Sequence, residues 1–519
     1  MAYAADSDLR VLWLTRTGSQ VSHVSKETRS LPIYGRKMVC LHEAVSKVDL
    51  RRFNAACRAV RRAGLCPYWP GVPRAVRPLT VAEVKEVARR LPACPHDCLV
   101  ASLPAVRSVA ATHMQLNAIG WLLAKWRARR ERVILVLDEG QHVVRNALSM
   151  VKDSMSLRTI LRAAKEARRY GFKDLAEELE EAVEEYGRML PENGEVEAED
   201  LLPAADELAL AGDEIQEAKL KEGYVPASYV LSVADFKIAL NGRKPILVRE
   251  GRSIRLEAPI DPVEALRSVY SGWHAAVTVS ATISGELLEA FTGSDVVLLR
   301  SGWPFGENLS AYIVKGLTTK FERRDETLID DMAWATGLAA RAGKRALVFY
   351  PSHELAQKAL AKLPEELRRR MLVEEPGLDQ EEIEAIAERF SDEGGVLVSV
   401  FQGRLAEGVD LSANLVICLG VPFSPPTVKQ AALLRRLTEV LGDERKARIY
   451  GQILPALWSA IQAAGRAIRG PEDEATVFMV DDRYIPLTRL LPRWFSERIV
   501  SRVRLEDMPI ILREVERVA

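Results

Sequence analysis

The sequence has no net charge, few aromatic residues and no membrane-length apolar run. Its 519 residues include 72 Lys or Arg and 72 Asp or Glu, and 6% of the residues are aromatic. Net charge therefore cannot recruit a polyanion, and only charge segregated along the chain could bind nucleic acid. Because no run approaches the ~18 apolar residues of a membrane helix and no basic-then-apolar leader opens the chain, we expect a cytoplasmic protein without a membrane partner.

Cysteines are also few, and their distribution is uneven. Five of the six lie between Cys40 and Cys98, and only Cys418 lies elsewhere. In a chain that we expect to be cytoplasmic, such clustering favours a metal or cluster site over disulfide bonds.

Seven apolar runs rich in β-branched residues predict an α/β fold. Such runs suit strands that are buried on both faces of a parallel sheet and that carry functional residues at their carboxyl ends. Two parallel sheets in tandem are expected, with a site in the cleft between them. The seven runs are residues 10–17, 132–140, 275–282, 345–352, 395–403, 415–422 and 475–482.

Two further regions differ in composition from these runs. Residues 51–90 contain ten Lys or Arg and two acids, and their interleaved aromatic residues are typical of single-strand binding, with a solvated basic helix as the alternative. From residue 147 to about 235 the apolar positions keep helical spacing, which predicts an inserted helical region. Its acidic segment 191–200 is interrupted by Pro and Gly and predicts a solvated loop.

One acidic pair and one basic pair are candidates for nucleotide chemistry. Asp138 and Glu139 end an apolar run, where nucleoside triphosphatases place an Asp for Mg²⁺ and a Glu for the attacking water; a solvated polar turn is the alternative. Arg466 and Arg469 are three residues apart. They therefore share a helical face, from which two guanidiniums can neutralise a transferring phosphoryl group.

Five short segments occur in a fixed order along the chain. They read TRTGSQ at 15–20, DEGQ at 138–141, SAT at 280–282, GRLAEGVD at 403–410 and QAAGRAIR at 462–469. In order and composition they resemble the motifs of the XPD-type, superfamily-two DNA helicases, and the flanking segments extend the resemblance to nearly the whole chain.

The resemblance implies an α/β fold with two tandem RecA-like parallel-sheet motor domains. An iron–sulfur cluster insertion and a helical arch insertion would interrupt the first of them. The expected boundaries are 1–37, 104–146 and 251–299 for the first helicase domain, 38–103 for the iron–sulfur insertion, 147–250 for the arch and 300–519 for the second helicase domain.

The resemblance also implies an ATP-dependent helicase that moves 5′ to 3′ on single-stranded DNA, in DNA repair. Its cofactors would be ATP, Mg²⁺ and a [4Fe–4S] cluster. Its partners would be fork or bubble DNA and repair proteins, and the motor would be monomeric. A nucleotide-independent DNA-binding protein and a subunit whose phosphate loop lies on a separate chain are the alternatives.

Site residues follow from the resemblance by position. The expected roles are catalysis for Asp138, Glu139, Gln141, Arg466 and Arg469; nucleotide binding or coupling for Gln462, Glu407, Gly408 and Asp410; cluster ligation for Cys40, Cys57, Cys66 and Cys94; and DNA contact for Thr15, Arg16 and Thr17, joined by Arg58, Arg61 and Arg62 of the basic segment. The gaps of 16, 8 and 27 residues between the four cysteines favour a cluster, because structural zinc sites usually contain close C-x₂₋₄-C pairs. Zinc and unliganded buried thiols are the alternatives.

The sequence departs from the family pattern at two places. Gly140 and Gln141 replace the Ala and His of the family's DEAH, so a different side chain makes the hydrogen bonds there. No G-x-x-x-x-G-K-[ST] motif occurs. Because that loop precedes the TRT strand by about one helix in the family, we expect Met1 to be an internal methionine and the natural protein to extend upstream. The printed chain itself is expected not to hydrolyse ATP.

Overall fold

A computed structural model describes residues 8–69, 71, 80–189, 194–250, 253–302, 308–342, 345–378, 380–408, 411–468 and 470–518. Unit 1 comprises residues 1–296 with 427–433, and unit 2 comprises residues 297–426 with 434–519. Across the described ranges, no helix combines the length and the apolarity that a membrane span requires.

The chain up to residue 296 forms nine strands and fourteen helices within the described ranges. The strands are β1 (Arg10–Thr15), β2 (Leu31–Ile33), β3 (Ser108–Thr112), β4 (Val133–Leu137), β5 (Val151–Ser156), β6 (Gly194–Glu197), β7 (Ile246–Glu250), β8 (Ser253–Pro259) and β9 (Ala275–Thr278). The helices are α1 (Gly18–Thr28), α2 (Arg36–Val39), α3 (Glu43–Ser46), α4 (Leu50–Arg62), α5 (Val81–Arg90), α6 (Pro95–Ser102), α7 (Ile119–Trp126), α8 (Gln141–Leu148), α9 (Leu157–Arg169), α10 (Lys173–Arg188), α11 (Ala205–Lys221), α12 (Tyr229–Leu240), α13 (Pro262–Tyr270) and α14 (Gly285–Thr292).

The main sheet of unit 1 is parallel and has the strand order β2–β3–β1–β4–β9. Leu14 of β1 lies opposite Leu137 of β4, and both side chains are fully buried. Continuous apolar runs suit such strands because helices cover both faces of a parallel sheet. The predicted α/β class is confirmed, and the carboxyl ends of β1 and β4 lie side by side. β9, at the end of this order, exposes residues 275–277.

The arch (residues 151–259) combines α9 to α12 with a four-stranded antiparallel sheet in the order β5–β8–β7–β6. Its core includes the fully buried Ile160, Tyr186 and Phe236. The helical prediction for this region was therefore incomplete, and its sheet continues to Pro259, beyond the boundary expected at residue 250.

The solvated loop predicted at 191–200 was wrong in its described part. Gly194–Glu197 forms β6, which pairs with β7, while residues 191–193 lie outside the described ranges. Glu195 has a side chain only 8% exposed, and its carboxylate lies 3.1 Å from Nζ of Lys429. A distant lysine thus neutralises a glutamate that composition alone assigned to solvent.

After residue 297, the described chain forms seven strands and eleven helices. The strands are β10 (Leu309–Lys315), β11 (Ala346–Tyr350), β12 (Met371–Val373), β13 (Val396–Val400), β14 (Leu415–Leu419), β15 (Ala475–Val480) and β16 (Ile499–Arg504). The helices are α15 (Glu326–Arg341), α16 (His353–Ala361), α17 (Glu365–Arg368), α18 (Gln380–Glu393), α19 (Arg404–Gly408), α20 (Val428–Leu441), α21 (Glu444–Arg448), α22 (Leu454–Ala464), α23 (Tyr484–Leu487), α24 (Arg493–Ser496) and α25 (Met508–Val518).

The strands of unit 2 form one parallel sheet in the order β12–β13–β11–β14–β15–β10–β16. The central strands β11, β13, β14 and β15 are buried along their whole length. Cys418 lies within β14 and is fully buried. The four runs that predicted these central strands are thus confirmed, and polar segments follow their carboxyl ends.

Candidate functional site

Asp138 lies where the carboxyl ends of β1 and β4 meet. Its backbone N–H donates to the Leu14 carbonyl oxygen over 2.9 Å. Burial, with a contribution from neighbouring Glu139, raises the pKa of its carboxyl group. A partly desolvated carboxylate at the end of a strand suits a divalent cation, because the charge of the cation offsets the cost of burial. The role predicted for Asp138 fits this position.

Glu139 has an unusual backbone conformation for a residue that bears a side chain. Its φ angle is +54°, and such conformations cluster at functional sites, where the surrounding structure compensates for the strain. Gln141 Nε2 donates to Glu139 Oε2 over 2.6 Å. The contact with His142, then Gln141 and the charge of Arg16, hold the pKa of the Glu139 carboxyl below its usual range. Glu139 is therefore held ionised, as the orientation of a water molecule requires.

Gly140 is explained by its neighbour on β9. A Cβ atom at residue 140 would lie 2.2 Å from Cγ2 of Thr278, much closer than two carbon atoms approach. The Gly140 N–H donates to the Val279 carbonyl oxygen over 3.0 Å, which keeps β9 at this distance. The departure from the family's Ala is thus a packing requirement of this chain.

His142 joins the acidic segment to the TRT segment. Its Nε2 lies 3.3 Å from a terminal guanidinium nitrogen of Arg16 and 3.5 Å from Oε2 of Glu139. The imidazole is buried, with 9% of the side chain exposed. Sequence reasoning assigned no role to His142, although its place directly after DEGQ was a signal that could have been used.

The TRT segment is ordered by its own turn. The Gln20 Oε1 atom accepts hydrogen bonds from the backbone N–H groups of Arg16 and Thr17 at 3.1 and 3.0 Å. Thr17 caps α1, whereas Thr15 is fully buried and its hydroxyl donates to the Thr17 carbonyl oxygen. The side chain of Thr15, one of the three predicted DNA contacts, therefore makes its hydrogen bond within the protein.

His113 is a second residue that sequence reasoning missed. It follows β3, and its Nε2 lies 2.8 Å from the carbonyl oxygen of Asp138. Burial lowers the pKa of this imidazole, so the neutral form is favoured. Its position after the short apolar run of β3 was the available signal, but that run was not recognised as a strand.

In unit 2, α19 is fixed by one buried carboxylate. Glu374 accepts hydrogen bonds from the Ser399 hydroxyl at 2.5 Å and from the Arg404 N–H at 2.7 Å. A Cβ atom at Gly403 would lie 2.4 Å from this carboxylate. The segment that contains Glu407 and Gly408 therefore starts from a rigid N-terminus.

Arg466 is attached to α19 within the same unit. Its Nε donates to the carbonyl oxygen of Ala406 over 2.8 Å. Gln462 lies one helical turn earlier, in α22, and its buried Oε1 has no hydrogen-bond partner among the described residues. The structure thus brings Arg466 against the predicted coupling segment. Asp410 and Arg469 lie outside the described ranges.

Comparisons with known proteins find similar helicases. A model of the helicase C-terminal domain matches residues 336–498. The ATP-dependent DNA helicase XPD of Sulfolobus acidocaldarius is 26% identical over 181 residues, which are 33% of this chain and 31% of that protein. The ATP-dependent DNA helicase chl1 of Neosartorya fischeri is 23% identical, over 96% of this chain and 74% of that protein. Residues 336–498 thus match a helicase C-terminal domain, and the chain is similar to XPD-type and chl1-type DNA helicases.

Solved structures share the XPD-like fold. An XPD helicase structure has a TM-score of 0.74 at 19% identity and covers 95% of this chain and 91% of its own. The structure of Xpd4 from S. tokodaii has a TM-score of 0.62 at 16% identity, with coverages of 97% and 92%. By sequence, however, the aligned segments cover 31% of the Sulfolobus XPD protein and 47% of a probable ATP-dependent helicase of Methanocaldococcus jannaschii. The chain therefore spans less than half the length of each of these two relatives.

The four cysteines assigned to this XPD-like protein as ligands surround one cavity in the cysteine insertion (residues 38–103). The cavity is lined by Cys40, Cys57, Cys66 and Cys94. Burial raises the pKa of Cys40 and Cys66, and that of Cys94 to about 11. Within the described residues, no three His, Cys, Asp or Glu side chains are close enough to share one metal ion. The [4Fe–4S] cluster therefore stays a prediction.

The predicted basic contacts of the XPD-like protein divide into two kinds. Arg58 and Arg62 are exposed on α4. Arg61 instead pairs with Asp97 at 2.6 Å, and its guanidinium carbon lies 3.7 Å from the ring centroid of Trp69. Sequence reasoning could not separate the three, because Asp97 is 36 residues away along the chain.

Proposed function

We propose that this XPD-like protein is an ATP-dependent motor that translocates 5′ to 3′ along single-stranded DNA and unwinds fork or bubble DNA in repair. The observation that carries the proposal is the line of contacts from Arg16 through His142 to Glu139. A DNA-driven ATPase must make hydrolysis depend on bound DNA. Three touching side chains between the predicted DNA-contact segment and the predicted water-orienting carboxylate supply a physical route for that dependence.

In this proposal each group has a defined task. Asp138 would hold Mg²⁺, and Glu139 would orient the attacking water. The nucleotide and its metal ion supply the phosphoryl group and part of the neutralising charge. Arg466, Gln462 and, by position, Arg469 would stabilise negative charge on the transferred group. Arginine in this role is worth roughly 10³- to 10⁵-fold in rate.

DNA-stimulated ATP hydrolysis is the direct test. Because the 519 residues contain no G-x-x-x-x-G-K-[ST], two proteins are to be compared: the 519-residue chain, and the same chain with a G-x-x-x-x-G-K-[ST] segment joined to it. We expect only the protein that has this segment to hydrolyse ATP, with stimulation by single-stranded DNA. Tight binding of single strands with no hydrolysis in either form would favour a nucleotide-independent DNA-binding protein instead.

A substitution at His142 tests the observation that carries the proposal. In the hydrolysing protein, His142→Ala should reduce the stimulation by DNA about tenfold, within the usual range of coupling energies, while basal hydrolysis changes less. His142→Gln should restore part of the stimulation, and His353→Ala on α16 is the matched control. Equal loss of basal and DNA-stimulated rates would show that His142 serves the site as a whole and does not couple it to DNA.

The cysteine insertion would hold a [4Fe–4S] cluster through Cys40, Cys57, Cys66 and Cys94. Thiolates at distant points of the chain suit a cubane that ties a small domain together. Protein purified without oxygen should contain about four irons per chain. Cys66→Ser should remove the iron, whereas Cys418→Ala, on a buried strand of unit 2, should retain it. Stoichiometric zinc without iron would contradict the proposal.

A further inference from the structure

His113 is a half-buried imidazole that none of the proposed tasks uses. It directly follows β3 and begins a 3₁₀ helix, His113–Ala118. β3 pairs with β1, and β1 pairs with β4, so β1 lies between His113 and the acids that follow β4. The imidazole spans this distance, because its Nε2 lies 2.8 Å from the carbonyl oxygen of Asp138. The Leu14 carbonyl of β1 lies beside the same ring. One side chain thus joins the carboxyl ends of three neighbouring strands.

The direction of the hydrogen bond between His113 and Asp138 is fixed by its chemistry. A carbonyl oxygen only accepts, so Nε2 of His113 carries the hydrogen and donates it. The acceptor belongs to the peptide group that joins Asp138 to Glu139. His142, in contrast, lies 3.5 Å from Oε2 of the Glu139 side chain. The two histidines therefore hold Glu139 at different points, one at its backbone and one at its carboxylate.

The peptide group between Asp138 and Glu139 can turn independently of the chain around it. Its N–H belongs to Glu139 and makes a hydrogen bond with the Asp138 carboxylate. On one side, the Asp138 N–H donates to the Leu14 carbonyl oxygen over 2.9 Å. On the other side, the Glu139 carbonyl oxygen accepts from the His142 N–H over 3.0 Å. Because both flanking groups are fixed, a rotation of this one peptide plane would change ψ of Asp138 and φ of Glu139 and little else.

Such a rotation would also relieve backbone strain. The φ angle of Glu139 is +54°, in the left-handed region that residues with a side chain rarely adopt. Turning the peptide over would return φ to the ordinary negative range and carry the Glu139 N–H away from the Asp138 carboxylate. A strained conformation of this kind persists only where the surrounding structure holds it. The imidazole of His113 supplies that hold at the carbonyl oxygen.

We propose that His113 is a positioning residue for ATP hydrolysis, because it fixes the 138–139 peptide and thereby the directions of both carboxylates. The Asp138 carboxylate would then face the metal site and the Glu139 carboxylate the attacking water, in the arrangement that hydrolysis needs. The inference rests on the proposed hydrolysis function and adds a residue to it. Since His113 acts on the backbone, outside the contact of Arg16 with His142, it should affect basal and DNA-stimulated hydrolysis by the same factor.

Kinetics of the hydrolysing protein test this role. His113→Leu fills a similar space but cannot donate, and it should lower kcat about 100-fold, as expected for a misplacement of about 1 Å. KM for ATP should change much less, because the peptide orients the acids for the reaction and other groups hold the nucleotide. The factor by which single-stranded DNA stimulates hydrolysis should stay the same, unlike in His142→Ala. The matched control is His274→Leu, at an exposed histidine of unit 1, which should leave kcat and KM unchanged.

Two conservative variants separate positioning from packing. The side-chain nitrogen of Gln takes about the place of the imidazole Nε2, so His113→Gln should recover most of kcat. The side-chain nitrogen of Asn corresponds to Nδ1 and does not reach the Asp138 carbonyl oxygen, so His113→Asn should not recover it. Equal losses in the Leu, Gln and Asn variants, or an unchanged kcat in His113→Leu, would overturn the proposal. If the unsubstituted protein hydrolyses no ATP, the proposed function itself fails.

Two measurements on the 519-residue chain decide the role of His113 without hydrolysis. Hydrogen exchange resolved to single amides should show faster exchange of the Glu139 N–H in His113→Leu and nearly normal exchange in His113→Gln. Unchanged exchange in His113→Leu would overturn the proposal. In the unsubstituted chain, nitrogen NMR of ¹⁵N-labelled histidine should find the hydrogen of the His113 ring on Nε2, and the signal is assigned by its absence from His113→Gln. A His113 ring with no hydrogen on Nε2 would equally overturn the proposal, because it could not donate to Asp138.

Discussion

The two insertions of unit 1 differ in what holds them together. Among its described residues, the arch has one core of 25 buried apolar residues. Around the cysteine cavity, the cluster of buried apolar residues consists of Val45, Phe53, Cys57 and Val60. The cysteine insertion also buries Val39, Val84 and Leu99 outside this cluster, so its buried apolar residues are not joined in one core, and small domains of this kind often contain a covalent or metal staple. From this comparison we expect the arch to be held mainly by its own core and the cysteine insertion to depend more on its thiols.

Charged pairs with little exposure join helices in both insertions. In the arch, Glu166 accepts hydrogen bonds from the Ser228 hydroxyl at 2.9 Å and from the N–H groups of Tyr229 and Val230 at 2.6 and 3.0 Å. It also pairs with Lys219. This carboxylate therefore caps α12 and fixes it to α9. In the cysteine insertion, Arg61 of α4 pairs with Asp97 of α6 at 2.6 Å, so an ion pair joins two helices there as well.

The largest expected effect comes from removing a predicted cluster ligand. Cys66→Ser should destabilise the cysteine insertion by several kcal/mol, of the order seen when structural metal sites are lost. Hydrogen exchange should then show loss of protection in residues 38–69 and 80–103, with unchanged protection of α9 to α12. Unchanged protection of the cysteine insertion would break the comparison, because its own packing would then suffice.

The second effect tests the self-sufficiency of the arch. Glu166→Ala leaves Lys219 and the first N–H groups of α12 without their partner, which should cost about 3–5 kcal/mol of unfolding free energy. Thermal unfolding measures the loss, and iron content should not change. The matched control is Glu180→Ala, because Glu180 forms an exposed pair with Arg168 and should cost less than about 1 kcal/mol.

The smallest effect concerns Asp235, an exposed residue of α12. Partial burial raises the pKa of its carboxyl group, although Arg58 and Arg51 act in the opposite direction. Because the pKa of Asp235 is higher in the folded state, its protonated carboxyl group contributes its full stabilisation below the unfolded-state pKa. This stabilisation is lost as the pH rises through the folded-state pKa.

Asp235→Asn should therefore stabilise the arch at neutral pH, by only a few tenths of a kcal/mol because solvent screens the exposed group. The difference should vanish below about pH 4. Urea unfolding at the two pH values measures it. If Asp235→Asn destabilises the protein at neutral pH, the attraction between Asp235 and the arginines of α4 outweighs the cost of burying the carboxylate. The two insertions would then be less independent than their cores indicate.

Parts of the candidate site were predictable because they depend on neighbours along the chain. Asp138 and Glu139 end an apolar run, and such a run in a parallel sheet puts its last residues at the functional edge. His142 and His113 were not predicted, since their contacts with Glu139 and Asp138 follow from the turn after β4 and from the pairing of β1 with β3. Arg61 was grouped with Arg58 and Arg62, because only the folded insertion brings it to Asp97.

The sequence by itself determined the two parallel sheets and the position of Asp138 and Glu139 at one strand end. Strand formation and strand burial depend on local runs of β-branched residues. Only the tertiary structure decided the sheet of the arch, whose β6 is short and acidic and is stabilised by a lysine 234 residues away. The tertiary structure also explains why residue 140 is Gly, because Thr278 lies next to that position only when β9 pairs with β4. Contacts between distant segments depend on shape and register, which no local pattern records.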